Sequence, residues 1–104
     1  MNKQMALVTG GSGGIGRAIS LRLAKDGYFV LVHYNHNQNE AMKTAEFIES
    51  AGGQGRIVSF DVTDAQSAEK NLEVISKELG EMDLSVLVNN SGIHNDCLLG
   101  FMSD

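Results

Sequence analysis

This chain lacks three sequence features: multiple cysteines, a cluster of basic residues and a long apolar run. Cys97 is its only cysteine, which excludes an internal disulfide and a metal site built from several cysteines. Its eight lysines and arginines are scattered among thirteen acidic residues, so the basic stripe that binds nucleic acid is absent. No apolar run reaches the roughly 18 residues of a membrane span. Neither nucleic acid nor a membrane is therefore expected as a partner.

The N-terminal segment also lacks the long apolar stretch and cleavage site of a signal peptide, so we expect a cytoplasmic protein. His33 and His94 have no ligand spacing, and no metal is expected. The composition itself is typical of a folded domain, with 42% hydrophobic and 20% charged residues and a formal net charge of −5. The length of 104 residues fits one small domain or half of a larger one.

Short apolar runs alternate with amphipathic segments along the chain. The runs predict strands at residues 5–8, 28–34, 56–60 and 85–89. Helical spacing of apolar residues predicts helices over 14–25 and 40–50, and in the first of these Ile15, Ala18, Ile19 and Leu23 recur at that spacing. A third helix is predicted between a capping box that starts at Thr63 and a stop at Gly80.

This β-α-β-α-β-α-β order, with short connections, requires a parallel sheet with right-handed crossovers and helices on both faces. The predicted fold class is α/β, namely the first half of a Rossmann-type doubly wound parallel sheet.

The stretch "LVTGGSGGIGRA" places five glycines between Thr9 and Gly16. Each glycine weakens a helix or strand by roughly 0.5–1 kcal/mol relative to alanine, so the cluster needs a geometric reason. In doubly wound folds the turn after the first strand meets the phosphates of a dinucleotide. Gly10, Gly14 and Gly16 can supply a turn with positive φ, backbone approach to a pyrophosphate, and close helix packing.

The spacing of the glycines leaves two assignments open. Gly11, Gly13 and Gly16 also satisfy the pattern G-x-G-x-x-G, and a merely flexible loop is the alternative to a phosphate site. The position between a buried strand and a helix favours phosphate binding.

Two further motifs narrow the class of protein. The segment Thr9 to Gly16, the pair Asp61 and Val62, and "NNSG" at residues 89–92 together resemble the short-chain dehydrogenase/reductase family. That family is marked by TGxxxGIG, by DV after the third strand, and by NNAG after the fourth. The resemblance runs from Met5 to the end of the chain, and Ser91 stands where the family has alanine. The run "VNNSGIHNDCLLGFMSD" is most similar to the N-terminal part of 3-oxoacyl-acyl-carrier-protein reductases.

The resemblance implies positions around a nicotinamide cofactor. Asp61 should accept a hydrogen bond from the adenine amino group, with the backbone of Val62 beside it, and Ile15 should pack near the phosphates. Asn89 should either contact the adenosine ribose or tie adjacent strands together. The residues that the resemblance places along the adenosine ribose are Asn89, Ser91 and Gly92.

The end of the second strand indicates which nicotinamide cofactor binds. NAD-specific sites usually carry an acidic residue there, about 20 residues after the glycines, to hold the ribose 2′-hydroxyl. This chain has Tyr34, Asn35 and His36 instead. Ser12, Asn35 and His36 could hydrogen-bond a 2′-phosphate, which predicts NADP(H) rather than NAD(H). Gly13 replaces the arginine that many relatives carry, and a solvated loop is the alternative for His36.

The catalytic residues of the family are not found in these 104 residues. The family uses a serine and a Tyr-x-x-x-Lys pair, whereas Val32 lies four residues after Tyr28 and Gln38 lies four residues after Tyr34. We therefore expect residues 1–104 to be the NAD(P)-binding N-terminal portion of a single-domain reductase, truncated before its catalytic segment. The strand at 85–89 would then lie at a sheet edge, so the isolated chain should be marginally stable or should associate.

The resemblance implies an NADPH-dependent reductase of a ketone, with a 3-oxoacyl thioester on acyl carrier protein as the expected substrate, as in fatty acid biosynthesis. A small-molecule ketone is the other expected substrate class, and the complete protein is expected to be a homotetramer. The alternatives are a non-catalytic dinucleotide-binding module and a doubly wound methyltransferase. The methyltransferase is disfavoured because residues 34–36 lack the acidic residue that would bind its ribose.

Overall fold

Four strands and three helices alternate along the chain. A computed structural model describes residues 4–10, 13–61 and 63–89. Within these residues, no helix has both the length and the apolar character needed to cross a membrane. The strands are β1 (Gln4–Thr9), β2 (Phe29–His33), β3 (Gln54–Val58) and β4 (Asp83–Asn89), and the helices are α1 (Gly14–Lys25), α2 (Gln38–Ser50) and α3 (Ala65–Glu78).

The four strands form one parallel sheet in the order β3-β2-β1-β4. Leu7 of β1 lies between Leu31 of β2 and Leu87 of β4. The order confirms the predicted doubly wound topology, in which the chain moves outward from β1 to β3 and then crosses back to the other side of β1. Because all strands are parallel, the loops after them leave from the same edge of the sheet.

The two faces of the sheet are covered by different helices. Met5 and Leu7 of β1 pack in a cluster with Leu72 and Ile75 of α3. Val8 of β1 belongs to a second cluster, with residues of α1 and α2. This division follows from the alternation of side chains along a strand, and it confirms the prediction of helices on both faces.

Helix α1 faces the protein with its smallest side chains. Gly16, Ser20 and Ala24 recur every four residues and are buried. Small side chains let the helix come close to its neighbours, and a Cβ added to Gly53 would lie 2.9 Å from the Cβ of Ala24. Of the apolar residues that recur at helical spacing, Ile15 and Ala18 are exposed, whereas Ile19 and Leu23 are half-buried and pack against the second cluster.

The N-terminus of α3 is capped by Asp64 rather than by Thr63. The Asp64 carboxylate accepts hydrogen bonds from the amides of Gln66 at 3.1 Å and Ser67 at 3.2 Å. The Thr63 hydroxyl instead donates to Asp61 at 2.6 Å. The predicted capping box is wrong by one residue because Thr63 is held by the preceding aspartate.

The third strand also begins and ends two residues earlier than predicted. It extends through Gly55, where a Cβ would lie 2.8 Å from the Val30 carbonyl oxygen, so glycine permits the close approach to β2. Beyond Val58 the chain leaves the ladder, and Phe60 is held by a side chain of β2 instead.

Candidate functional site

The first connection of the fold turns sharply at Gly10. Thr9 ends β1, and Gly10 has a φ of 66°, in the left-handed region that glycine adopts without steric cost. The amide of Gly13 then donates to the Gly10 carbonyl oxygen at 3.3 Å. Gly10 thus has the positive φ that its predicted turn role requires, while its contact with a phosphate stays a prediction.

The N-terminus of α1 is organised differently from those of α2 and α3. Asn37 caps α2 and Asp64 caps α3 through their side chains, whereas Gly13 precedes α1 and offers no side chain for a cap. The helical bonds of α1 start with the amide of Arg17, which donates to the Gly13 carbonyl oxygen at 2.8 Å. The three amides before it, at residues 14–16, are those that a bound anion can engage at a helix N-terminus.

The charge around these amides also favours an anion. The first turn of α1 contains no acidic residue, and the helix dipole places partial positive charge at this end. A Cβ added to Gly14 would meet nothing within 4 Å in the protein, so the backbone is open to close approach. Gly16 is buried in the packing of α1. Gly10 thus has the positive φ of a turn and Gly16 is packed, while the approach of a pyrophosphate at Gly14 stays a prediction.

Ile15 presents an apolar side chain beside these amides. It is 71% exposed, the highest exposure among the large hydrophobic residues that the structure describes. An apolar side chain at such a position is available to pack on a ligand. Ser12 and Gly11 lie outside the described residues, so the predicted contact of Ser12 with a 2′-phosphate stays a prediction.

The carboxyl ends of β1 and β4 are joined by side chains. Thr9 pairs with Asn89 in the ladder, and the Thr9 hydroxyl lies 3.2 Å from Asn89 Oδ1 and 3.3 Å from the Val88 carbonyl oxygen. Asn89 thus ties adjacent strands, as one of the two predicted roles requires. Its contact with a ribose stays a prediction, and Ser91 and Gly92 lie outside the described residues.

The segment after β2 carries exposed polar side chains and leads to a carboxylate that is paired with cations. Asn35 and His36 are exposed. The first carboxylate after them belongs to Glu40, which lies 2.9 Å from the Arg17 guanidinium and 3.3 Å from Lys43 Nζ. Hydrogen bonds from Arg17, and then from Lys43, lower the pKa of Glu40 below its usual value. The nearest acid after β2 is therefore already paired with cations.

Asp61 is an exposed carboxylate held in one orientation. Its Oδ1 accepts hydrogen bonds from the Thr63 hydroxyl at 2.6 Å and from the Thr63 amide at 2.9 Å. These bonds lower the pKa of Asp61, so the group is an ionised acceptor at neutral pH. Such a carboxylate can accept from an exocyclic amino group, as the resemblance implies. Val62, predicted beside it, lies outside the described residues.

Sequence reasoning placed His33 in the second strand and gave it no further role. The structure confirms the strand position and shows the side chain only 1% exposed, with Nε2 at 2.7 Å from the Phe60 carbonyl oxygen. The His33 and Phe60 rings also meet edge to face, with centroids 4.9 Å apart. The polar residue at the end of the apolar run "FVLVH" was the available signal, but its partner lies 27 positions away.

The predicted site residues that the structure describes gather at the carboxyl edge of the sheet. Gly10 follows β1, Asn35 and His36 follow β2, Asp61 follows β3, and Asn89 ends β4. A cavity of about 610 Å³ lies elsewhere, lined by Met5, Asp83 and Leu84 at the amino ends of β1 and β4 and by residues of α3. The candidate site is thus an open corner and not that cavity.

A parallel sheet in this order, with a glycine corner after its central strand, defines the first half of a Rossmann-type fold. The family model described as short chain dehydrogenase matches residues 4–104. The chain therefore belongs to the short-chain dehydrogenase family of oxidoreductases.

Three comparisons illustrate the range of relatives. The short-chain dehydrogenase/reductase homolog YusS of Bacillus subtilis is 43% identical over 93 residues, which are 89% of this chain and 83% of that protein. The 3-oxoacyl-[acyl-carrier-protein] reductase FabG of Staphylococcus aureus is 39% identical over 95% of this chain but only 39% of its own length. The crystal structure of the angucycline C-6 ketoreductase LanV with bound NADP matches with a TM-score of 0.75 and 39% identity, over 86% of this chain and 37% of that one.

The chain thus spans well under half the length of FabG and LanV, whereas YusS is itself short, since 93 residues make up 83% of it. Family membership and the fold follow from these matches.

Proposed function

We propose that the corner between β1 and α1 binds the pyrophosphate of NADP(H). The observation that carries this proposal is the start of α1, where the amides of residues 14–16 precede the first helical hydrogen bond and Gly14 leaves the backbone open. A helix N-terminus with open amides and no acidic residue stabilises a phosphate through both hydrogen bonds and the helix dipole.

The remaining assignments follow the course of the cofactor along the carboxyl edge. The phosphates lie against the glycine corner, the adenine amino group donates to Asp61, and the 2′-phosphate lies beside the segment after β2. The nicotinamide, when bound, supplies the hydride to a carbonyl substrate. The proposed cofactor-binding residues are Gly10, Ser12, Gly14, Ile15, Gly16, Asn35, His36, Asp61, Val62, Asn89, Ser91 and Gly92.

A preference for NADP(H) over NAD(H) is supported by the charge of the segment after β2. No carboxylate occurs from residue 34 to residue 39, and the Glu40 carboxylate is paired with Arg17 and Lys43. An unpaired carboxylate there would repel a 2′-phosphate, whereas the amide of Asn35 and the imidazole of His36 can donate to one. The ketoreductase LanV, whose crystal structure contains bound NADP, is a relative with this cofactor.

We further propose that these 104 residues form the NAD(P)-binding portion of a cytoplasmic, homotetrameric ketone reductase, whose serine, tyrosine and lysine lie beyond residue 104. The name of FabG supports a 3-oxoacyl thioester on acyl carrier protein as the substrate, and the name of LanV supports a small-molecule ketone. Reading the source gene past codon 104 tests this proposal. A Tyr-x-x-x-Lys segment downstream is expected, and a stop codon at that point would contradict the proposal.

A non-catalytic dinucleotide-binding module is the second candidate. The observation in its favour is the YusS relative, of which the chain spans 83%. In this case the corner would bind the cofactor with the same residues but without hydride transfer. The stop codon that contradicts the reductase would support the module.

Titration of the chain with NADPH and NADH, followed by the fluorescence of the reduced nicotinamide, tests the cofactor proposal. We expect tighter binding of NADPH, and we expect 2′,5′-ADP to displace it better than 5′-ADP does. Tighter binding of NADH would contradict the NADP assignment. Absence of binding by either dinucleotide would contradict the phosphate corner itself.

A further inference from the structure

The buried imidazole of His33 makes a defined hydrogen bond. Because the Phe60 carbonyl oxygen can only accept, Nε2 carries the proton and donates to it at 2.7 Å. The Phe60 amide lies 3.5 Å from the same nitrogen, whose bonding capacity is already used. A short bond from a side chain that is 1% exposed fixes the carbonyl of Phe60 in place.

The His33–Phe60 hydrogen bond joins the chain to β2 beyond the point where the backbone hydrogen bonds between β2 and β3 end. β3 ends at Val58, whose carbonyl oxygen accepts from the Tyr34 amide at 3.1 Å. Two residues further on, the sheet no longer holds the backbone, and His33 reaches from β2 to Phe60. The edge-to-face contact of the two rings adds a second restraint on the same residue.

Phe60 immediately precedes Asp61, so a restraint on one sets the position of the other. From the opposite side, Thr63 holds Oδ1 of the Asp61 carboxylate with its hydroxyl and its amide. The backbone at Phe60 is thereby fixed from β2, and the Asp61 carboxylate is fixed from the segment that precedes α3.

We propose that His33 is a positioning residue for adenine recognition. It holds the backbone of the Phe60–Asp61 segment so that the Asp61 carboxylate meets the adenine amino group, and it does not contact the cofactor itself. This inference rests on the proposed function, because it presupposes that Asp61 accepts from adenine. Loss of the His33 side chain should therefore affect binding at the adenine end of the cofactor.

The test compares two ligands that differ at the edge of the purine ring that Asp61 is proposed to bind. NADPH carries the adenine amino group, and its hypoxanthine analogue carries a carbonyl oxygen there and a proton on the neighbouring ring nitrogen. Wild type should prefer NADPH by about tenfold, the effect of losing one hydrogen bond to a charged group. The His33→Leu variant, which lacks the donor, should bind both ligands with nearly equal affinity.

The His33→Gln variant is the matched control, since its side-chain amide can donate from nearly the same position as Nε2. We expect it to recover most of the preference for NADPH, which a merely space-filling role for His33 would not produce. If His33→Leu does not fold, His33→Asn replaces it, because its shorter side chain cannot reach Phe60 and should lose the preference.

Retention of the wild-type preference by the folded Leu or Asn variant would overturn the role of His33 and leave the proposed function intact. Equal binding of the two ligands by wild type would instead overturn the assignment of Asp61, and the role of His33 would fall with it.

Discussion

At the scale of the residue, the glycines of this chain satisfy different constraints. Gly10 has a φ of 66°, which an L side chain adopts only with strain. Gly53 faces the Cβ of Ala24 at a distance that admits no side chain. Gly14 has neither constraint, since its added Cβ would meet nothing within 4 Å. Folding therefore explains the first two glycines, and the proposed phosphate site gives a reason for the third.

Substitution of these glycines should separate folding from binding. Gly10→Ala should lower the free energy of unfolding by about 1–2 kcal/mol, the cost of a left-handed conformation for an L residue. Gly14→Ala, the matched control, should leave it unchanged or raise it slightly, since alanine favours helix. Urea unfolding measures both changes. Equal destabilisation by the two substitutions would contradict the distinction drawn between them.

His33 should make stability depend on pH. Burial lowers the pKa of His33 below its ordinary value, and its hydrogen bond to Phe60 only partly offsets this. The unfolded chain therefore takes up a proton near pH 6.5, whereas the folded chain does not. The contribution of His33 to the free energy of unfolding is thus complete above pH 6.5 and is lost as the pH falls toward the folded pKa.

We expect the free energy of unfolding to be lower at pH 5.5 than at pH 7.5, and His33→Gln to remove most of this difference. Urea titrations at the two pH values measure it. The carboxylates with lowered pKa, Glu40 and Asp61, titrate below this window. An unchanged pH dependence in the variant would show that other groups cause it.

At the scale of the element, Arg17 joins α1 to α2. Its Nε donates to the Thr44 hydroxyl at 2.9 Å, and its terminal nitrogen donates to the carbonyl oxygen of Glu40 at 3.1 Å and to its carboxylate at 2.9 Å. The guanidinium also lies 5.3 Å from the centre of the Phe47 ring. One side chain thus connects the N-terminus of α1, at the proposed phosphate site, with the N-terminal half of α2.

Arg17→Met should lower the free energy of unfolding by about 1–2 kcal/mol, because hydrogen bonds of a charged group are lost but the pair is partly exposed to solvent. Arg22→Met is the control on the same helix. Its ion pair with Asp26 is mostly exposed, and its loss should change stability by less than about 0.5 kcal/mol. Thermal or urea unfolding of the two variants checks this, and equal losses would contradict the bridging role.

Prediction of elements from the sequence succeeded where the signal is local. Helix α1 begins at Gly14 and ends at Lys25 as predicted, because the glycine cluster and the apolar spacing both lie within it. The parallel sheet with helices on both faces followed from the alternation of strands and helices.

The sequence analysis failed to predict features that depend on contacts between residues far apart in the chain. The burial of Ser20 and Ala24 in α1 was not predicted, because such small side chains give little hydrophobic signal in the sequence. The role of His33 was missed because its partner Phe60 is brought near only by the sheet. The family motifs name cofactor contacts but not the side chains that support them, and those contacts stay predictions.

At the scale of the whole molecule, β4 lies at one end of the described sheet. Its apolar side chains from residue 84 to residue 88 are only half-buried. An edge strand offers a row of backbone donors and acceptors, and β4 contains no lysine or proline that would discourage pairing. The 104-residue chain produced alone is therefore expected to associate.

Sedimentation velocity over a range of concentrations tests this expectation. We expect oligomers to form with rising concentration, and Val86→Lys to shift the chain toward monomer because a charge is placed on the edge strand. Val74→Lys, which adds the same charge at an exposed position of α3, is the control and should not change the distribution. A wild-type chain that stays monomeric and melts cooperatively at high temperature would contradict the expectation.

The phosphate corner is tested most directly by calorimetric titration of NADPH into wild type and into Gly14→Val, with the unfolding free energy of each measured in parallel. We expect the substitution to change stability by less than about 1 kcal/mol while weakening NADPH binding at least about tenfold, since its side chain occupies the open approach to the amides. Equal affinity of the two chains for NADPH would contradict the binding of a pyrophosphate at this corner.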